Sequence, residues 1–256
     1  MLVRATTCVM LLATPAFSAE LLRFDTAAGA VDWSGRYAGV TFGTVRSDGK
    51  ATRGGYDGDL LTLDVSNGLF PDSIDESATD AIGGLAVGVN RQRGSTVFGF
   101  ELDLSLSGLD AQSGFSRVDP GPVFPGVDTI TSYRTEIDRL ATARLRAGYA
   151  QGRMLFYGTA GLALGHVENS FTLALPQIGY SSPDWNEEGY RLGYVFGAGV
   201  EGKLTPRVSL KAEILRFDLE DSEVDASDEQ NFPGNSITYE FDNEGVVARL
   251  GLNFRF

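Results

Sequence analysis

The single histidine of this 256-residue chain sits in a run whose spacing invites a catalytic reading. His166, Glu168 and Ser170 alternate, so an extended backbone puts all three side chains on one face. A serine hydroxyl, an imidazole and a carboxylate are the parts of an ester-hydrolysing relay, in which the imidazole takes the hydroxyl proton and the acid orients the ring. The spacing argues against it. Alternate residues of one strand lie about 7 Å apart, beyond hydrogen-bond reach. Ser170 also lacks the Gly-x-Ser-x-Gly turn that exposes a nucleophile. The run reads instead as a polar strand end entering a loop. No phosphate-binding loop, dinucleotide fingerprint or Cys/His cluster occurs elsewhere, so no catalytic, cofactor-binding or metal site is expected.

A larger group of chemically capable residues is a set of charges at alternating positions among glycines and other small residues. Glu101, Asp103, Glu136, Asp138, Glu201 and Glu213 stand against Arg144, Arg146, Arg191, Lys211, Arg249 and Arg255. The two signs are equal in number. Such balance matters if these groups leave water, because a buried charge without a partner is strongly destabilising.

The elements that carry them are strands. At the end of the chain Ala248, Leu250, Leu252, Phe254 and Phe256 alternate with Arg249, Gly251, Asn253 and Arg255. A period of two predicts a strand with one apolar and one polar face. The run from Val246 to Phe256 suits the roughly 9–11 residues a strand needs to cross a bilayer. The same rhythm recurs upstream, at about 35–46, 81–91, 98–107, 133–150, 154–167, 189–203 and 207–217. Tight turns are expected at 92–94, 151–152 and 205–206. Polar or Gly/Pro-rich stretches at about 48–78, 108–131, 168–186 and 222–243 read as long loops. The apolar piece Leu60 to Val65 reads as a hairpin extension inside the first. The last loop is acidic, with Glu223, Asp225, Asp228, Glu229, Glu240 and Asp242. Arg139 interrupts an apolar face and is expected at the membrane edge.

Long and short connections alternate, which puts every tight turn at one end and every long loop at the other. That asymmetry belongs to transmembrane barrels. In lipid each backbone polar group needs an internal partner, so such a sheet must close. The expected fold is all-β: an eight-stranded antiparallel up-and-down transmembrane β-barrel with four long outer loops and short periplasmic turns. Large apolar residues face lipid, and the small and charged face lines the lumen. A soluble ligand-binding barrel would share the strand count with its faces reversed.

Composition agrees. The chain is 43% hydrophobic and 11% aromatic despite 32 Gly, too apolar for a disordered chain. A net charge of −13 argues against nucleic acid as a partner. No run of eighteen apolar residues marks a membrane-spanning helix. Residues 1–19 have the basic start, apolar middle and small-residue end of a cleaved signal peptide, cut after Ser18 or Ala19. The only Cys, Cys8, leaves with it, so the mature chain forms no disulfide. Residues 20–33 form a weakly patterned lead-in, and 34–256 the barrel.

Two motifs carry a family resemblance. The opening run Trp33-Ser34-Gly35-Arg36-Tyr37-Ala38-Gly39 and the terminal aromatic strand resemble the porin-like outer-membrane β-barrels of Gram-negative bacteria, alphaproteobacteria in particular. That family is related to the opacity-type surface proteins and the barrel of outer membrane protein A. The resemblance covers nearly all the mature chain, with its recognisable motifs confined to the two ends and the middle matching by pattern. It implies an outer-membrane location, contact with outer-membrane lipid and lipopolysaccharide, and Phe254 and Phe256 as a signal read by the barrel-assembly machinery. With Phe256 as the last residue, no peptidoglycan-binding domain is expected after the barrel. A monomer is expected. The acidic loops either share divalent cations with lipopolysaccharide phosphates or keep the surface hydrated.

Three functions follow in order: a structural surface protein supporting envelope integrity, a small channel for ions or solutes, and a lipid-active hydrolase. An eight-stranded barrel is only about wide enough for its own side chains. The twelve charges are therefore expected as a salt-bridged network filling the lumen, which favours the first over the second.

Overall fold

The computed structural model describes residues 31–122 and 124–256; the expected signal peptide and most of the lead-in lie outside the described residues. Eight long strands follow one another: β1 Gly35–Asp57, β2 Ser73–Arg93, β3 Thr96–Val118, β4 Asp128–Gln151, β5 Met154–Leu175, β6 Trp185–Lys203, β7 Val208–Ser227 and β8 Ser236–Arg255. Each pairs antiparallel with its neighbours in sequence. The ring closes where β1 meets β8, with Tyr37 opposite Arg255 and Val45 opposite Val247. Closure pairs each of the eight long strands on both sides, as a sheet in lipid requires.

Three short turns gather at one end. Gly94 and Gly152 take left-handed backbone (φ 62° and 57°) in the two-residue hairpins after Arg93 and Gln151, conformations a tight hairpin demands. The third turn spans 204–207. The longer connections, 58–72, 119–127, 176–184 and 228–235, gather at the other end. The Leu60–Val65 piece, expected to extend a hairpin, belongs instead to a helix, α1 (Asp59–Ser66), which buries Leu61.

The strands run far beyond their expected ends, and most of each expected long loop is strand. The reason is a change of solvent along the barrel. On β8 the odd positions point inward throughout. From Arg249 to Arg255 the inward residues are polar or small, while Leu250 (59% exposed), Leu252 and Phe254 face out. From Ile237 to Phe241 the inward residues Ile237, Tyr239 and Phe241 are buried, and Thr238, Glu240 and Asp242 face out. Where lipid lies outside, apolar residues face outward; where water lies outside, they turn in. Of the acidic run that reads as a loop, Glu223, Asp225, Glu240 and Asp242 thus lie on one outer face of two strands, and Asp228 and Glu229 lie in the connection between them.

The lipid-facing belt is continuous around the ring, through Phe42, Leu85, Leu104, Leu145, Leu162, Phe196, Ile214 and Leu250. Inside, side chains stack in layers. Trp33 closes the turn end with Val97, Leu155 and Tyr157. The charged layer comes next. Above it an apolar layer joins Val45, Ile82, Leu109, Ile137, Phe217 and Val247. A second apolar cluster, around Tyr133, Phe171, Tyr239 and Phe241, fills the loop end.

Candidate functional site

The charged layer is built from opposite walls of the ring. Glu101 and Asp103 rise from β3, Arg144 and Arg146 from β4, Lys211 and Glu213 from β7, Arg249 from β8 and Glu201 from β6. Small inward residues are interspersed with them, Gly99, Ser105, Thr142, Gly148, Gly199, Ser209 and Gly251, which is how the sequence makes room for long side chains in a narrow lumen. Arg144, 1% exposed, donates to Glu101, to Asp103 (2.8 Å) and to Glu213 (3.2 Å). Arg249 bridges Asp103 (3.1 Å) and Glu213 (3.0 Å). Lys211 Nζ sits 2.7 Å from Glu101 and 3.3 Å from Glu213. Arg146 donates to Glu201 at 2.8 Å, and Arg255 reaches the same carboxylate at 3.9 Å. Charge-assisted bonds of this kind hold only because each carboxylate has more than one donor.

Three of the expected members lie elsewhere. A register shift between Ile137 and Arg139 reverses the parity of β4, so Ile137 turns into the apolar layer while Glu136 and Asp138 turn out. Glu136 pairs with Arg134 (2.9 Å), and Asp138 with Arg139 and His166. Arg191 sits higher, where β6 has left its ladder with β7, which starts at Gly193 and Leu219. There Arg191 donates to Ser222 and Glu187 and bridges the gap. Arg139 is outward and half exposed, as expected for a residue at the belt's edge.

His166 is engaged by carboxylates on both ring nitrogens, Asp138 at 2.9 Å and Glu188 at 3.3 Å, and its ring meets Tyr190 edge-on. Glu168 accepts from Asn186. The structure does not bring His166 and Ser170 together as a relay.

Sequence reading missed four participants. Tyr37 and Tyr157 donate their hydroxyls to Glu101 (2.7 Å) and Glu213 (2.9 Å), and the Arg146 guanidinium lies over both rings, 3.9 Å from the Tyr157 centroid. The signal was present: a lone large aromatic on an otherwise small inward face. Trp33, assigned to the lead-in, is fully buried at the turn end, with Lys203 and Arg255 against its ring. Glu76, read as part of a loop, is buried above the apolar layer and accepts only from Thr135 (2.7 Å) among the described residues. Burial pushes its carboxyl up to about 7, against the lowering effect of that bond.

A cavity of about 70 Å³, counted over positions open to the centre of a water-sized sphere, lies at the loop end. All four outer connections reach it, through Leu61, Phe124, Tyr180 and Phe232.

A family model for the outer membrane protein β-barrel domain matches residues 5–256. The chain belongs to that family. Among curated relatives, the 31 kDa outer-membrane immunogenic protein of Brucella melitensis is 26% identical over 227 residues, 88% of this chain and 84% of its own. The 22 kDa outer membrane protein of Rhizobium leguminosarum bv. viciae is 28% identical over 172 residues, 67% of this chain and 65% of its own. Among solved structures, the outer membrane protein OprG from Pseudomonas aeruginosa aligns with a TM-score of 0.47 at 14% identity, covering 87% of this chain and 96% of that one. The protein is accordingly an outer-membrane β-barrel of a Gram-negative bacterium, and its apolar belt is the surface that meets lipid.

Proposed function

We propose that this barrel is a structural surface protein that supports envelope integrity and does not conduct. The observation that carries the reading is the reach of Arg144. From β4 it touches Glu213 on β7, across the lumen, while holding Glu101 and Asp103 beside it. Opposite walls are joined through buried, paired side chains, which supports a lumen filled at that level. The apolar layer above and Trp33 below add two further barriers.

Planar-bilayer recording of the refolded mature chain tests the reading. We expect a silent wild type. Discrete, reproducible channels that change with Arg144→Ala or Glu101→Gln would favour the second reading, a small channel with the charged layer as its filter. In cells, loss of the protein should raise sensitivity to detergent and bile; unchanged sensitivity would count against a structural role.

The same reading gives the protein its partners. Phe254 and Phe256 face outward at the turn end, at 51% and 72% exposure, a position suited to recognition by the assembly machinery, and their removal should block assembly while leaving export intact. Export itself is assigned to the signal peptide of residues 1–19. At the other end, outward acids such as Glu240 and Asp242 would face lipopolysaccharide, where shared divalent cations or plain hydration would serve that surface. A single chain closes its own ring, which supports a monomer. With both His166 nitrogens facing carboxylates, a catalytic role is not part of this reading.

A further inference from the structure

The cavity at the loop end carries chemistry that a merely filled barrel does not need. Its walls are apolar and aromatic, including Leu61, Phe70, Phe171, Trp185 and Phe232. Its charged lining residues are Asp64, Asp119 and Asp228, with no Lys, Arg or His among the described residues. Asp228 is occupied: it accepts from Tyr180, Gln230 and Asn231. The other two are not. Asp119 is 4% exposed, and only its Oδ1 is satisfied among the described residues, by the Gly121 amide. The partly buried carboxylate of Asp64, on α1, accepts no hydrogen bond and pairs with no cation among the described residues. Burial, together with the neighbouring Asp119, pushes the Asp64 carboxyl up to about 6. Two carboxylates that repel each other beside an apolar cavity are costly unless something positive joins them. In the charged layer of the lumen every carboxylate has a cationic partner in the protein; among the described residues these two have none.

We propose that this cavity binds a small amphiphilic cation, a short-chain amine whose ammonium lies between Asp64 and Asp119 and whose tail lies against the aromatic wall. The cavity has room for roughly five to seven water-sized positions, which suits a chain of about six carbons. Contributions from all four outer connections mean that a bound amine would also tie the loops together. This assignment does not depend on whether the barrel conducts.

The test uses the refolded full chain in lipid nanodiscs near neutral pH, titrated calorimetrically with hexylamine, hexanol and hexanoate, with empty nanodiscs as blank. The expected result is saturable hexylamine binding, at least about tenfold tighter than hexanol, and no saturable binding of hexanoate. In the Asp64→Asn/Asp119→Asn chain, both new side chains still fit and Gly121 keeps its acceptor; hexylamine should fall to the level of hexanol. Equal binding of all three probes by the wild type, absence of saturable hexylamine binding, or an amine preference that survives the double substitution would each overturn the proposal. The comparison among probes needs only the wild type, so it stands even if the variant fails to fold.

Discussion

Tyr157 on β5 lies flat across Gly199, its direct partner on β6, with its ring Cζ and hydroxyl oxygen each 2.5 Å from where a Cβ on Gly199 would stand. Half a turn around the ring, Tyr37 does the same to Gly88, its partner on β2, at 2.4 Å. Both rings extend sideways into the lumen and deliver a hydroxyl to the charged layer. A methyl group at either glycine would displace the ring and break that bond. Gly199→Ala and Gly88→Ala should each cost about 1–3 kcal/mol. Gly158→Ala, where the nearest atom is 3.9 Å away, should cost far less. Urea titration of the barrel in lipid vesicles reads all three. Equal effects would mean that the tyrosine–glycine contact is incidental.

Arg144 offers a sharper measurement. Truncating it leaves Glu101, Asp103 and Glu213 with fewer donors in a buried site. Arg144→Met should therefore destabilise the barrel by about 3–5 kcal/mol. Adding Glu213→Gln removes one of the stranded charges, so the double variant should be more stable than the sum of the singles predicts. Strict additivity in a double-mutant cycle would show the pair to be uncoupled.

Glu76 makes stability depend on pH. Its folded carboxyl titrates near 7, and its ordinary value is 4.5. Below pH 4.5 both folded and unfolded chains hold the proton, and there is no penalty. As pH rises, the unfolded chain releases the proton first, so stability falls until the folded carboxyl ionises near pH 7, and then levels off. Glu76→Gln keeps an acceptor for Thr135 and removes the penalty. It should stabilise the barrel by about 2–3 kcal/mol near pH 8 and by almost nothing near pH 4. The comparison of unfolding midpoints at the two pH values decides it, and an equal gain at both would rule out ionisation as the cause.

Ring closure, strand number and the alternation of short and long connections were all legible in the sequence, because lipid imposes a simple rule on the belt: Phe98 to Leu106 can alternate only one way. Most of the charged layer was legible for the same reason. Glu136 and Asp138 were misplaced because a bulge after Ile137 resets parity, and a bulge leaves no mark in a pattern of two. The strand extensions were missed because their polarity is reversed. Tyr239 and Phe241 continue the inward face of Arg249 and Arg255, but the chemistry of that face changes with the solvent outside. Trp33 escaped because a plug contributed by a short lead-in has no periodicity to read.

The reversal itself can be tested on one strand. Leu250 and Thr238 share the outward parity of β8, but Leu250 lies between Phe42 and Ala212 in the belt, while Thr238 pairs with Asp225 beyond it. If the boundary between lipid and water falls between them, the same substitution must give two outcomes. Leu250→Lys should cost about 2–4 kcal/mol, as a lysine near the bilayer midplane does, and Thr238→Lys about 0–1. The inward neighbour gives the complementary check: Phe241→Ala should cost about 3–5 kcal/mol, because it empties a packed site among Tyr239, Tyr133 and Phe171. Folding of the three variants into vesicles, followed by urea titration, measures each cost. A Lys at 238 as damaging as one at 250 would place the outer half of the barrel inside the membrane and remove the reason for its reversed faces.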